Sequence, residues 1–317
     1  MSIPDAFGRL RLPAVAAPMF LTSGPDLVVE VCRSGVVGTF PALNQRTTAG
    51  FVDWLDEIGA RLEPYPEAAP FGVNLIVHRS NPRLEADLEQ VVVHKVPLVI
   101  TSLGARPDVV RAVHSYGGLV FHDVISRRHA EKAAEAGVDG IVAVCAGAGG
   151  HAGTLSPFGL IPEIRSFFDG TILLSGAIST GAQIAAARIM GADMAYMGTR
   201  FLVTKEALVS ATQKDMTVVA RSSDILYTPA ISGVAANFLR PSIVAAGLDP
   251  DNLTIHGALD MQNEAKAWKT VWSAGHGVAA IDDLPGAAEL CDRLVTEYAV
   301  AMAAAASDPY SIRTVRL

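Results

Sequence analysis

The chain has 317 residues, half of them hydrophobic, a mean hydropathy of +0.33 and a net charge of −7. That length and apolarity suffice to bury one large core, and the acidic balance leaves no basic surface for nucleic acid. No apolar run is long enough to span a membrane, Met1 to Arg11 lacks the features of a signal peptide, and Cys32, Cys145 and Cys291 show no CxxC spacing. A cytoplasmic protein without a disulfide framework or a metal site is expected.

Val15 to Met19 reads as a short apolar strand closed by a proline, and Pro25 to Arg33 then carries helical periodicity to a stop at Ser34-Gly35. The pattern recurs as strand Val36 to Phe40 with helix Gly50 to Ala60, and strand Phe71 to Val77 with helix Pro82 to His94. Leu98 to Ser102 precedes helix Pro107 to Tyr116, and Leu119 to Val124 precedes helix Ser126 to Ala136. Ile141 to Val144 is the sixth strand, followed by a short helix from Pro162 to Phe168. Thr171 to Ser175 with helix Gly181 to Met190, and Met194 to Met197 with a helix starting near Thr204, complete eight units. Gly35, Gly117, Gly137 and Gly191 stand where helices should end.

Eight such units before about residue 215 predict a closed parallel (β/α)8 barrel, with an open doubly wound sheet as the competing arrangement. The barrel is expected over 1–215, rejoined by a C-terminal helix within 284–317, with a helical cap over 216–283. In that last part Asp224 to Arg240 reads as irregular. Pro241 to Gly247 and Met261 to Thr270 read as helical, and Leu284 to Ala306 as a long Ala-rich helix.

A barrel of this kind carries its site at the C-terminal ends of the strands, often with phosphate held after strands seven and eight. There stand Ser175-Gly176-Ala177-Ile178-Ser179 and Gly198-Thr199-Arg200. Gly176 and Ala177 precede a helix whose positive end could join them in holding an anion, and Gly198 and Thr199 repeat the arrangement one unit later. After the sixth strand the glycine-rich loop through Ala148, Gly149 and Gly150 presents His151 without bulky neighbours, so backbone can approach a ligand while an imidazole moves a proton. Pro18, Met19, Asn74, Thr101, Ser102 and His122 add polar and close-packed groups at the same mouth, as a planar polar cofactor requires. Each alone is more often an ordinary turn or core residue. Cys145 reads as a small core residue.

Together Ala17-Pro18-Met19, Gly72-Val73-Asn74-Leu75, Ala148 to Gly153, Ser175 to Ile178 and Met197-Gly198-Thr199-Arg200-Phe201 resemble the nitronate monooxygenases, formerly 2-nitropropane dioxygenases. The resemblance extends from about Pro13 to Ser273 through Gly277. It implies an FMN-dependent barrel with a helical cap. His151 would match the family's base, Pro18, Met19, Asn74 and the glycine-rich loop would line the flavin ring, and Gly176-Ala177 and Gly198-Thr199 would hold the FMN phosphate. Three departures stand out: His122 where many members carry Lys near the flavin pyrimidine, Gly147 where many carry Glu, and His276 where Gln is frequent. The expected activity is oxidation of alkyl nitronates or nitroalkanes with dioxygen. The alternative is an NAD(P)H-dependent reductase of quinones or enoyl thioesters. Self-association into a homo-oligomer is left open.

Overall fold

The computed structural model describes residues 3–254 and 270–310. Its centre is a closed parallel barrel of eight strands. They are β1 (Ala14–Ala16), β2 (Val37–Pro41), β3 (Gly72–Ile76), β4 (Leu98–Ser102), β5 (Leu119–Val124), β6 (Gly140–Val144), β8 (Thr171–Ser175) and β9 (Met194–Met197). Closure is direct: Val15 pairs with Val37 on one side and with Tyr196 on the other. Helices α1 (Pro25–Arg33), α2 (Thr48–Leu62), α3 (Leu84–Val93), α4 (Pro107–His114), α5 (Arg127–Glu135), α6 (Pro157–Arg165) and α7 (Gly181–Ile189) join consecutive strands. The expected (β/α)8 barrel is what the chain forms.

Because strand side chains alternate faces, each strand serves two cores. Val15, Val37, Leu98, Ile100, Phe121, Val142, Leu173 and Met194 fill the lumen. Val73, Val99, Val120, Ile141, Ile172 and Ala195 pack outward beneath the helices. That two-sided burial explains the unbroken apolar runs. The bottom of the lumen is closed by Phe7 from a short 3-10 helix (Asp5–Phe7), whose ring meets Phe121 edge-on at 5.9 Å. Side chains thus plug the lower barrel, and open space remains only at the strands' C-terminal ends.

Three local expectations change. The sixth helix begins at Pro157, with Pro162 inside it. Pro157 at the first helical turn is pre-set for the helix, and the carbonyl that loses its donor at Pro162 is that of Phe158, a residue 79% exposed and open to water. After β9 comes a short helix α8 (Thr199–Leu202), then α9 (Ala211–Val219) capped by Ser210, instead of one helix near Thr204. Asp224 to Arg240, expected to be irregular, contains β10 (Ile225–Thr228) and β11 (Ala236–Leu239). These pair antiparallel with each other, and β11 also pairs antiparallel with the two-residue strand β7 (Gly150–His151) in the sixth loop. Helix α10 (Arg240–Ala245) agrees with expectation, while 261–269 of the second cap helix lie outside the described residues.

The C-terminal helix Ala287–Ala306 packs on α7 and α1. Its backbone passes so close to Gly181 that a β-carbon there would lie 2.3 Å from the Leu294 carbonyl.

Candidate active site

One cavity of about 1890 Å³ opens at the strands' C-terminal ends. Pockets for small ligands usually measure about 300–1,000 Å³, so there is room for a nucleotide-sized cofactor together with a substrate. Of the residues proposed from the sequence, Pro18 and Met19 after β1, Asn74 on β3, Ser102 on β4, His122 on β5, the loop from Ala148 to His151, Ser175 to Ala177 after β8, and Gly198 and Thr199 after β9 border it, whereas Thr101 does not.

The two phosphate-type turns are built mainly from backbone. Between β8 and α7 the chain turns through two consecutive positive φ values, Gly176 at 144° and Ala177 at 55°. A β-carbon on Gly176 would lie 2.9 Å from the Ala146 carbonyl, so the turn needs glycine there. Beyond Gly198 the space is open, the nearest atom to a built β-carbon being Met19 Sδ at 3.6 Å. One expectation is corrected. The positive end of α7 is already occupied, because the Thr180 and Gln183 side chains form a capping box and Gly181 donates its N–H to Glu297 Oε2 at 2.7 Å. The helix end left facing the cavity is that of the short α8, the arrangement in which barrels of this type commonly hold phosphate.

The glycine-rich loop is held from the cap. Asn237 on β11 donates to the Ala148 carbonyl at 2.6 Å. Gly150 donates its N–H to Ser273 Oγ, which donates in turn to the Asn237 carbonyl at 2.7 Å. His151 pairs with Ala236 in the small sheet, and the Tyr227 hydroxyl donates to the carbonyl of Ala152 at 3.0 Å. Gly275 packs between the loop and α8, donating its N–H to Thr199 Oγ1 at 2.9 Å. Asn237 and Tyr227 had no motif to announce them, and Ser273 was marked only as the start of the last segment of the resemblance.

Two of the departures noted above meet in space. His276 donates its backbone N–H to the Gly147 carbonyl, and a β-carbon at Gly147 would lie 3.2 Å from His276 Nδ1. Any side chain at position 147 has to displace this histidine, so the two residues depart from the family pattern together.

The third departure has a neighbour on the opposite face of its strand. Phe121 fills the lumen and Val120 and Val124 pack outward, so His122 lies on the outer face of β5 and Asp123 on the inner one. His122 shares a 2.7 Å hydrogen bond with Thr101 Oγ1, and burial, helped by His129, lowers its imidazole to about 4. It is a neutral group on the α5 side of the strand. Asp123 is the side chain that faces the lumen, and burial pushes its carboxyl up to about 6 against the hydrogen bond from Ser102. The Cys145 thiol is pushed up to about 12 by burial, which denies it a thiolate at neutral pH.

Comparison with known proteins now places this geometry. The family model for nitronate monooxygenase matches residues 6–297. The chain belongs to the nitronate monooxygenase family. Members are flavin-dependent oxidoreductases. The Mycobacterium tuberculosis protein Rv1533, named as a monooxygenase, is 36% identical over 155 residues, 48% of this chain and 41% of that protein. A methyl-oxo-octahydro-indene-carboxyl-CoA dehydrogenase of Rhodococcus jostii (strain RHA1) is 25% identical over 232 residues, covering 73% of this chain and 64% of that one. The match thus spans about two fifths to just under two thirds of these relatives. Among solved structures, a nitroalkane oxidase from Streptomyces ansochromogenes superposes with a TM-score of 0.83 at 22% identity, over 94% of this chain and 99% of that one. This last likeness concerns the fold. Among the described residues no helix is long and apolar enough to cross a membrane.

Proposed function

We propose that the protein is an FMN-dependent oxidase of alkyl nitronates with His151 as its general base. The observation that carries this is the convergence on one cavity of a glycine-lined anion cradle and a histidine whose loop is fixed by the cap. The residues fit the cofactor. Gly176, Ala177, Gly198 and Thr199 would take its single phosphate, no second fingerprint for an adenine half being present, and Pro18, Met19, Asn74 and Ala148 to Gly150 would border its ring. When bound, the flavin supplies the electron transfer between substrate and dioxygen.

The chain supplies the rest. His151 takes the proton alpha to the nitro group, or orients a nitronate that arrives deprotonated. The loop that carries it is anchored on both sides, before His151 at Gly150 by Ser273 and after it at Ala152 by Tyr227, which restricts where the imidazole stands. The test is direct. The purified protein should be yellow, release FMN and not FAD on denaturation, and consume oxygen with nitronates.

A second reading, an NAD(P)H-dependent reductase of quinones or enoyl thioesters, is favoured by one observation: a cavity larger than FMN and a nitroalkane need. The carboxyl-CoA specificity in the name of the Rhodococcus relative agrees with it. Anaerobic bleaching of the flavin by NADH or NADPH separates the two, since a nitronate oxidase ignores both.

A further inference from the structure

The floor of the cavity holds a carboxyl that neither reading uses. Asp123 stands on the inner face of β5, in register with Val142 of the lumen. Asn74 donates through Nδ2 to Ser102 Oγ at 2.7 Å, and Ser102 donates to Asp123 Oδ2 at 2.6 Å. Asn74 Nδ2 also donates to the Ile100 carbonyl at 3.1 Å. The donors of this chain therefore run toward the carboxyl and are spent before reaching the cavity. The second oxygen, Oδ1, is shut off from solvent and meets no donor among the described residues. A buried acceptor left in that state is unfavourable, more so when charged. The rest of the side chain borders the cavity, and the terminal torsion of aspartate is a soft one, so a small rotation presents either oxygen to a ligand.

We propose that Asp123 is a cofactor-contacting residue whose carboxylate accepts a ring N–H of the bound flavin and sets a negative charge beside the ring. This rests on the flavin reading above and goes beyond it. At the end of strand five, where the resemblance implies a positive group in many members, the lumen face of the strand carries a carboxylate and His122 lies on its outer face. The flavin ring system offers a polar N–H that a lone buried acceptor can receive, and it gains electron density on reduction. A fixed carboxylate therefore opposes reduction and lowers the midpoint potential. A cofactor held at low potential gives up its electrons readily to an acceptor such as dioxygen.

The experiment measures FMN affinity and the two-electron midpoint potential at about pH 8.5, where Asp123 is ionised. Wild type, Asp123→Asn and Ser102→Ala are compared, with folding of each followed by circular dichroism. Asp123→Asn keeps the shape and removes the charge. It should raise the midpoint by about 30 mV or more, which is a tenfold gain in affinity for reduced over oxidised flavin, and weaken binding of the oxidised form severalfold. Ser102→Ala leaves the charge but removes the hydrogen bond that spreads it, so the midpoint should move down, by less. Opposite shifts in the two variants support the proposal. An unchanged midpoint and affinity in Asp123→Asn overturn it while leaving the flavin reading intact. If Asp123→Asn does not fold, an unchanged midpoint in Ser102→Ala overturns it equally. A wild-type protein that takes up no FMN removes the reading and this inference together.

Discussion

The two sides of the cavity are built by different means. On the β8 and β9 side the groups are main chain at strand-to-helix turns, and the residues that matter lie within a few positions of one another in sequence. On the β5 and β6 side they are side chains, and their supports come from far away: Asn237 reaches Ala148 across 89 positions and Ser273 reaches Gly150 across 123. Backbone sites follow from local conformational rules, whereas a side-chain site exists only once distant segments have packed. The first kind should be destroyed by steric and charge changes at single glycines, the second should be graded by how much support is removed.

The largest expected effect is on the first side. Gly176→Asp or Gly198→Asp should abolish FMN retention, at least a hundredfold in Kd, while circular dichroism still reports a folded barrel. Each puts a carboxylate where the phosphate is to be held. Because a β-carbon at Gly198 meets nothing closer than 3.6 Å, Gly198→Ala should bind FMN nearly as wild type does, and that contrast separates charge from bulk. Normal retention in both Asp variants would place the cradle elsewhere.

This asymmetry also explains what could be read from the chain. The eight βα units were legible because each carries its own period and its own stop, as at Gly137 after α5 and Gly191 after α7. The turns after β8 and β9 were legible for the same local reason. The cap strands were not. Ile225–Thr228 and Ala236–Leu239 are four residues each and gain their identity by pairing with each other, the second also with a two-residue segment about 80 positions earlier. His122 and Asp123 lie side by side in one apolar strand, and nothing in the pair itself says which of them faces the lumen. Counting alternate residues from Phe121 was the available signal. That α7 is capped by Glu297 depends on the docking of the C-terminal helix and has no local trace.

On the second side, Asn237→Ala and Ser273→Ala should keep FMN bound and lower kcat by about tenfold to a hundredfold, the cost of loosening a catalytic group by a fraction of an ångström to an ångström. Steady-state rates with flavin content measured alongside check this, and lost flavin with unchanged kcat per bound FMN would show that the cap supports the cofactor instead of the loop.

A smaller effect concerns pH. Burial depresses the folded pKa of His122 to about 4, below the ordinary histidine value of about 6.5. The unfolded chain therefore binds the extra proton first, and stability falls as pH drops from about 7 toward 4, by about 3 kcal/mol for this group. Asp123, with its folded value raised to about 6, acts with the opposite sign over much of the same window, losing stability as pH rises through 6. In urea melts between pH 7 and 4, His122→Gln should flatten or reverse the acid loss seen in wild type. An unchanged slope would mean that the imidazole is already protonated in the folded protein.

The smallest effect is expected at Cys145. Its thiol is buried and pushed up to about 12, so Cys145→Ala should change kcat/KM by less than about threefold, the thiol having no nucleophilic part to lose.

The central claim is that His151 moves the substrate proton, and the most direct measurement compares two forms of one substrate on two proteins. His151→Ala should keep FMN and lose turnover of neutral nitroalkanes by about two to four orders of magnitude, the usual contribution of a positioned base. Pre-formed nitronates, with no alpha proton left to remove, should be spared by comparison. Equal and small losses on both forms would contradict the account and leave His151 as a structural residue of its loop.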